Sequence, residues 1–175
     1  MHKSINATFA ICVVGTLFSV LIAGCSTTQR LPSWMTFSSE SGEALIEVPW
    51  RTSFAEARAE AEKTDKLILL FFTGSDWCKY CMLLEREVFH TPEFAQWYPE
   101  NVVPVLVDSP RETSLEPAIA KQNEKLKKRF ANQVTSYPTA LFINTQGDVI
   151  GKLGYLPGGP DTWTYKADEI LALSF

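Results

Sequence analysis

The stretch Leu67 to Cys81, LILLFFTGSDWCKYC, constrains this chain more than any other. Leu67 to Phe72 is apolar without alternation, the pattern of a strand covered on both faces in the middle of a sheet. The polar turn Thr73-Gly74-Ser75-Asp76 follows, and Trp77 leads into two cysteines, Cys78 and Cys81, at what reads as the start of a helix. A buried strand that delivers Cys-x-x-Cys to a helix N-terminus suits dithiol redox chemistry. The unpaired N–H groups of a helix start favour negative charge on the first sulfur. Spacing of three brings the second sulfur back over the same face, close enough for a disulfide. Lys79 adds positive charge beside the pair and Asp76 opposes it.

The chain holds four cysteines, and their contexts differ. Lys3 and the free terminus form a short positive region, and Ile5 to Ala23 is apolar except for single Asn, Thr, Ser and Gly residues, as in a secretory signal. Leu21-Ile22-Ala23-Gly24-Cys25 resembles the lipobox of bacterial lipoproteins, in which the signal is cut before a cysteine that then carries lipid. The polar run Ser26-Thr27-Thr28-Gln29-Arg30 follows at once. The expected organisation is therefore a signal peptide over residues 1–24, a lipidated Cys25 and flexible tether over 25–47, and a folded domain over 48–175. An uncleaved membrane anchor is the alternative, since the apolar stretch approaches the ~20 residues a spanning helix needs. Ser26 after the lipid-bearing cysteine, rather than Asp, resembles outer-membrane sorting. The expected location is the bacterial cell envelope, facing the periplasm. Cys12 leaves with the signal, so Cys78 and Cys81 are the expected thiols of the mature domain. Trp34, Met35 and Phe37 interrupt the polar tether without an assigned role.

A chain of 175 residues with 46% hydrophobic content suits one domain plus appendages. The formal net charge of −4 gives no footing for nucleic acid, which favours a basic surface. Folding begins near Val48-Pro49-Trp50. Ser53 followed by Glu56 has the form of a capping box for a helix carrying Phe54, Ala57 and Ala61, closed by Thr64-Asp65-Lys66. After the cysteines, Met82, Leu83, Val88 and Phe89 predict a helix to about His90. Thr91-Pro92 restarts the chain as N-cap and first helical residue, predicting a short helix over Phe94 to Tyr98.

NVVPVLVD, residues 101–108, is the next β-rich run, and Pro104 within it argues for a bulge or an edge position. Ser109 to Glu112 is a loop. Leu115, Ile119, Leu126 and Phe130 mark a long helix whose charged end, Lys121 to Arg129, suits the helix dipole and reads as a solvated face. Ala140 to Asn144 and Val149 to Tyr155 form a hairpin around Thr145-Gln146-Gly147-Asp148, and a last helix runs from about Asp161 to Leu173.

This order, with Trp77-Cys78-Lys79-Tyr80-Cys81 and with Pro138 placed 57 residues after Cys81, resembles the thioredoxin superfamily across roughly residues 48–173. It is most similar to bacterial thioredoxin-like proteins and periplasmic thiol-disulfide interchange domains that carry Asp-Trp-Cys-x-x-Cys. The resemblance implies an α/β fold, a three-layer sandwich with a central mixed β-sheet flanked by helices. It implies catalytic roles for Cys78, as attacking thiolate, and Cys81, as resolving thiol. Pro138 corresponds to the family's cis-proline, and Trp77, Tyr137 and Pro138 to a substrate-binding surface, with Trp77 an apolar platform. The function so implied is a membrane-anchored extracytoplasmic thiol–disulfide oxidoreductase, working as a monomer on cysteine-containing exported proteins with an electron donor or acceptor. It needs no cofactor beyond the Cys78–Cys81 disulfide and no metal.

One departure stands out. Many thioredoxins keep a buried acid on the strand six or seven residues before the first cysteine, where Phe71 and Phe72 stand here. Proton transfer at Cys81 then falls to water, Asp76 or Glu85. That gap favours the main alternative, a non-catalytic binding module using the same groove. A copper-handling role with His90 is a further alternative. A purely structural disulfide gains little, because so short a loop closes with little entropy. A closed zinc site lacks ligands, and Met82 stands where covalent haem attachment needs His.

Overall fold

The computed structural model describes residues 46–174. The signal segment, Cys25, Trp34, Met35 and Phe37 lie outside the described residues. Within them the order is α1 (Phe54–Thr64), β1 (Leu67–Thr73), α2 (Lys79–Leu84), a π turn (Glu85–Phe89), α3 (Pro92–Asn101), β2 (Val102–Asp108), α4 (Pro117–Arg129), β3 (Thr139–Ile143), β4 (Val149–Leu153) and α5 (Gly159–Leu171).

The strands form one sheet in the order β2-β1-β3-β4, with β1 parallel to β2 and antiparallel to β3, and β3 antiparallel to β4. The sheet is mixed, and β1 is interior to it. Side chains along β1 alternate between two cores. Leu69 and Phe71 join Val88, Phe89, Phe94, Phe142 and Trp163 on one face. Ile68, Leu70 and Phe72 join Ala57, Ala61 of α1 and Leu126 of α4 on the other. The unbroken apolar run of β1 is thus what a strand between two helical layers requires, each fully buried Leu or Phe contributing about 1.5–3 kcal/mol. The result is the expected three-layer sandwich.

Trp163 of α5 is fully buried and meets Phe89 edge-on at 5.2 Å, while its indole N–H donates to the Gly154 carbonyl at 3.1 Å. Trp50 packs on Phe71 and Phe89, at 5.4 and 5.2 Å, so the chain entering α1 is tied to the core.

The expected caps of α1 are present, and several later boundaries differ from expectation for identifiable reasons. Ser53 Oγ accepts the Glu56 amide at 3.3 Å, and α1 ends at Asp65, whose φ of 54° is left-handed. The helix after the cysteines does not run unbroken to His90. It widens into a π turn in which the His90 amide reaches the Glu85 carbonyl at 2.8 Å. Pro92 has no N–H to continue the ladder to Val88, so the Val88 carbonyl instead accepts the Thr91 amide and hydroxyl. Helix α3 then extends beyond Tyr98 to Asn101. Pro104 sits without a bulge in regular parallel register opposite Leu69, on the edge strand, whose outer side, among the described residues, carries a single bridge from Arg51 to Val105. Leu115 lies outside α4, because Glu116 caps the Ile119 amide and Pro117 occupies the first turn, and Phe130 is the C-cap at the other end, its amide still donating to the Leu126 carbonyl.

Candidate active site

Three loops meet at one end of the sheet because of its register. Thr73, the end of β1, lies opposite Asp108, the end of parallel β2. Phe72 lies opposite Thr139, the start of antiparallel β3. The loop carrying the cysteines, the loop after Asp108 and the loop ending at Pro138 therefore emerge side by side, outside the strand ends where open α/β sheets commonly place their sites.

Gly74 begins the first loop: its carbonyl accepts the amides of Trp77 and Cys78, at 3.3 and 2.9 Å. A Cβ there would collide with the Trp77 indole, so the turn requires glycine. Cys78 is the N-cap of α2 and its sulfur accepts the Cys81 amide at 3.2 Å. The two cysteines form a disulfide with Cα atoms 5.2 Å apart. Cys78 is 6% exposed and Cys81 is fully buried. The sulfur nearer the helix start is thus the one an incoming thiol or disulfide reaches first, and the amide aimed at it favours a thiolate.

The Tyr137–Pro138 peptide bond is cis, and the Tyr137 ring lies 5.5 Å from that of Trp77. Trp77 and Tyr137, two of the three residues expected to bind substrate, are thus in contact, and Pro138 follows Tyr137 directly. Tyr80, between the cysteines, is exposed and lies 5.8 Å from Tyr155, whose hydroxyl donates to Glu87 at 2.7 Å. Gly154 lies close to the Pro138 carbonyl, which links the loop to the Trp163 anchor.

Trp77 departs from the expected open platform. Its N–H donates to the Ser109 carbonyl at 2.8 Å, and the Arg111 guanidinium lies 3.9 Å from its ring centroid. The loop after β2 is held there by carboxylates. Asp108 accepts the Ser75 amide at 3.0 Å, the Ser75 hydroxyl at 2.6 Å and the Ser109 amide at 2.8 Å. Asp76 accepts the amides of Arg111, Glu112 and Thr113 at 2.7–3.2 Å. The Arg111 amide foremost, with those of Glu112 and Thr113 adding, holds the Asp76 carboxyl below its ordinary range against a partial desolvation.

Phe71 and Phe72 are fully buried, so the strand brings no acid to the site. Glu85 brings one from the helix. It stands one turn after Cys81, half-buried, and its Oε1 accepts the Thr73 hydroxyl at 3.2 Å. Burial pushes the Glu85 carboxyl up, and nearby Asp108 adds to this, while the Thr73 bond opposes. Asp76, the other carboxylate named from sequence, is committed to three loop amides. The roles of Thr73, Asp108 and Arg111 were not assigned from sequence. A carboxylate closing an apolar strand just before Ser-Pro was the one available signal, for Asp108. No cluster of three or more His, Cys, Asp or Glu side chains suited to a metal occurs among the described residues.

A disulfide at a helix start, opposed to a cis-proline loop on this sheet, defines a thioredoxin-fold thiol–disulfide oxidoreductase with the Cys78–Cys81 pair as its redox centre. Residues 54–161 match the Thioredoxin-like domain family, and the chain belongs to that family. It is 29% identical over 154 residues to the disulfide bond reductase DsbH of Chlamydia pneumoniae, spanning 88% of this chain and 91% of that protein. It is 24% identical over 150 residues to the thioredoxin-related protein DsbJ of the same organism, spanning 86% of this chain and 41% of DsbJ. A solved structure of a DsbH oxidoreductase superimposes with a TM-score of 0.68 at 29% identity, covering 77% of this chain and 92% of that one.

Proposed function

We propose that this oxidoreductase works in the cell envelope as a reductant of disulfides in exported proteins, held to the membrane by lipid on Cys25. The observation that carries the reading is the asymmetry of the pair. Cys78 stands at the helix start beside Trp77 and keeps 6% of its surface exposed, whereas Cys81 is fully buried. The reductive direction rests on the similarity to a protein named a disulfide bond reductase. The lipobox-like Leu21 to Cys25 and the polar segment after it support export and anchoring. Among the described residues no helix is long and apolar enough to cross a membrane.

In the forward reaction the reduced enzyme presents Cys78 as a thiolate, favoured by the Cys81 amide. The Cys78 sulfur attacks one sulfur of a substrate disulfide. That bond breaks, the other substrate sulfur leaves as a thiolate and takes a proton, and a mixed disulfide joins Cys78 to the substrate. Cys81 then gives up its proton and attacks Cys78, releasing the second substrate thiol and closing Cys78–Cys81. Two electrons pass from the enzyme dithiol to the substrate disulfide. A donor dithiol restores the enzyme by the reverse exchange. Trp77, Tyr137 and the backbone at Pro138 hold the substrate chain. Glu85, one turn after Cys81 and held beside the loop by the Thr73 hydroxyl, is assigned as the acceptor of the Cys81 proton, and burial, which raises its carboxyl, favours that uptake.

The test is reduction of an insulin-type disulfide, together with titration of the pair in glutathione or dithiothreitol buffers. The reading expects turnover and a potential below about −230 mV, on the reducing side of glutaredoxins. A protein that neither turns over the disulfide nor exchanges with the buffer contradicts it. For the anchor, labelling with a radioactive fatty acid is expected, and is lost in Cys25→Ala. Membrane association without label would replace lipid by an uncleaved helix.

A further inference from the structure

Among the described residues, Arg111 is the one basic side chain laid on the ring of Trp77 beside the disulfide. Its guanidinium stacks on Trp77 at 3.9 Å, it is exposed, and among the described residues it makes no side-chain hydrogen bond or ion pair. Its position is built. Asp76 binds the backbone of residues 111–113, Asp108 binds Ser75 and Ser109, and the Trp77 N–H binds the Ser109 carbonyl, so the loop is tied to the cysteine loop at three places.

The carboxylates nearby are already committed. Asp76 and Asp108 hold amides, and Glu124 pairs with Lys127 at 2.8 Å. Glu112 is exposed and follows Arg111 directly, yet it forms no ion pair with it among the described residues. Beside Trp77 opens a cleft of about 540 Å³, which Arg111, Tyr137, Leu115 and Lys127 help to line. A guanidinium stacked on indole keeps its edge free, and that edge presents paired donors matched to a carboxylate.

We infer that Arg111 is a specificity-determining residue, which selects substrates carrying Asp or Glu close to the reacting cysteine and seats that carboxylate at the Trp77 edge of the cleft. The inference rests on the oxidoreductase reading and adds to it a substrate class. Asp76 is the positioning residue that holds Arg111 in place.

The test uses the full chain, reduced, against three synthetic peptide disulfides that differ only in Glu, Gln or Lys two positions from the cysteine. Wild type is expected to favour the Glu peptide over the Lys peptide about fivefold in kcat/KM, the scale of an exposed charge pair, with the Gln peptide between. Raising the salt to about 1 M shortens the screening length to ~3 Å and shrinks the preference. Arg111→Gln is expected to bring the ratio close to one, and Arg111→Lys to restore part of it. An unchanged ratio in Arg111→Gln overturns the inference, as does a wild type without preference. So does a preference that vanishes in Lys79→Gln but persists in Arg111→Gln. Failure to exchange with any of the three peptides instead overturns the oxidoreductase reading on which the inference stands.

Discussion

Glu85 on the helix and Thr73 on the strand share a hydrogen bond of 3.2 Å directly beneath the loop that carries the disulfide. The acid that the strand lacks thus enters from the other layer, one turn after Cys81. Its carboxyl is raised chiefly by burial, so its charged form is the strained one.

Glu85→Gln separates function from stability. A raised acid favours the fold below the ordinary carboxylate range, and that contribution is lost as pH rises through its folded pKa. At pH 7 the uncharged variant is therefore expected to be more stable, by about 0.5–1 kcal/mol after allowance for half exposure, with the gain fading below about pH 4. Disulfide reduction at pH 7 is expected to slow by about ten- to a hundredfold. Thermal unfolding at several pH values and insulin reduction check both halves. A variant that loses stability at pH 7 contradicts the sign.

Asp76 shows the opposite linkage. The Arg111, Glu112 and Thr113 amides lower its carboxyl, so its contribution is present above the ordinary range near pH 4 and is lost as pH falls through the lowered folded value. Asp76→Asn is expected to be less stable than wild type at pH 7 and to converge with it in acid. Because Asp76 fixes the loop that lays Arg111 on Trp77, the same variant is expected to change Trp77 fluorescence. An unchanged spectrum in a destabilised variant separates the loop from the indole.

Gly74→Ala places a methyl group against the Trp77 indole inside a turn that the Trp77 and Cys78 amides close. A cost of about 1–3 kcal/mol in denaturant unfolding is expected, the range for overpacking a filled site. Trp163→Phe removes the bond to Gly154 and part of the aromatic contact, and about 1–2 kcal/mol is expected from the lost hydrogen bond with its unpaired carbonyl. A loss within 0.3 kcal/mol in either variant contradicts the packing described.

Local sequence carried the parts of this architecture that depend on local rules. The apolar run of β1 announced a strand between two layers, Ser53 and Thr91 announced helix starts, and Pro104 announced a bulge or an edge, of which the edge is found. The π turn at Glu85–Phe89 was not legible, because it depends on where Pro92 falls relative to the Val88 carbonyl and on Glu85 reaching across to Thr73. Arg111 was not legible either. Its place over Trp77 is set by the pairing of Thr73 with Asp108 and by carboxylate-to-amide bonds between loops more than thirty residues apart. Cys78, Cys81, Trp77 and Pro138 were legible because they stand in short motifs. Glu85 was legible as one of three proton routes, with water and Asp76, but its burial and its bond to Thr73 were not, because strand and helix meet there only in the folded register.

The most direct test of the account is a trap. With Cys81→Ala the resolving thiol is gone, and the mixed disulfide formed by Cys78 persists. Incubation of the reduced variant with a peptide disulfide, followed by mass spectrometry without reductant, is expected to find one peptide per chain, attached at Cys78, while Cys78→Ala accumulates none. An adduct on Cys81 of the Cys78→Ala variant, with none on Cys78 of Cys81→Ala, would contradict the assignment of Cys78 as the attacking sulfur.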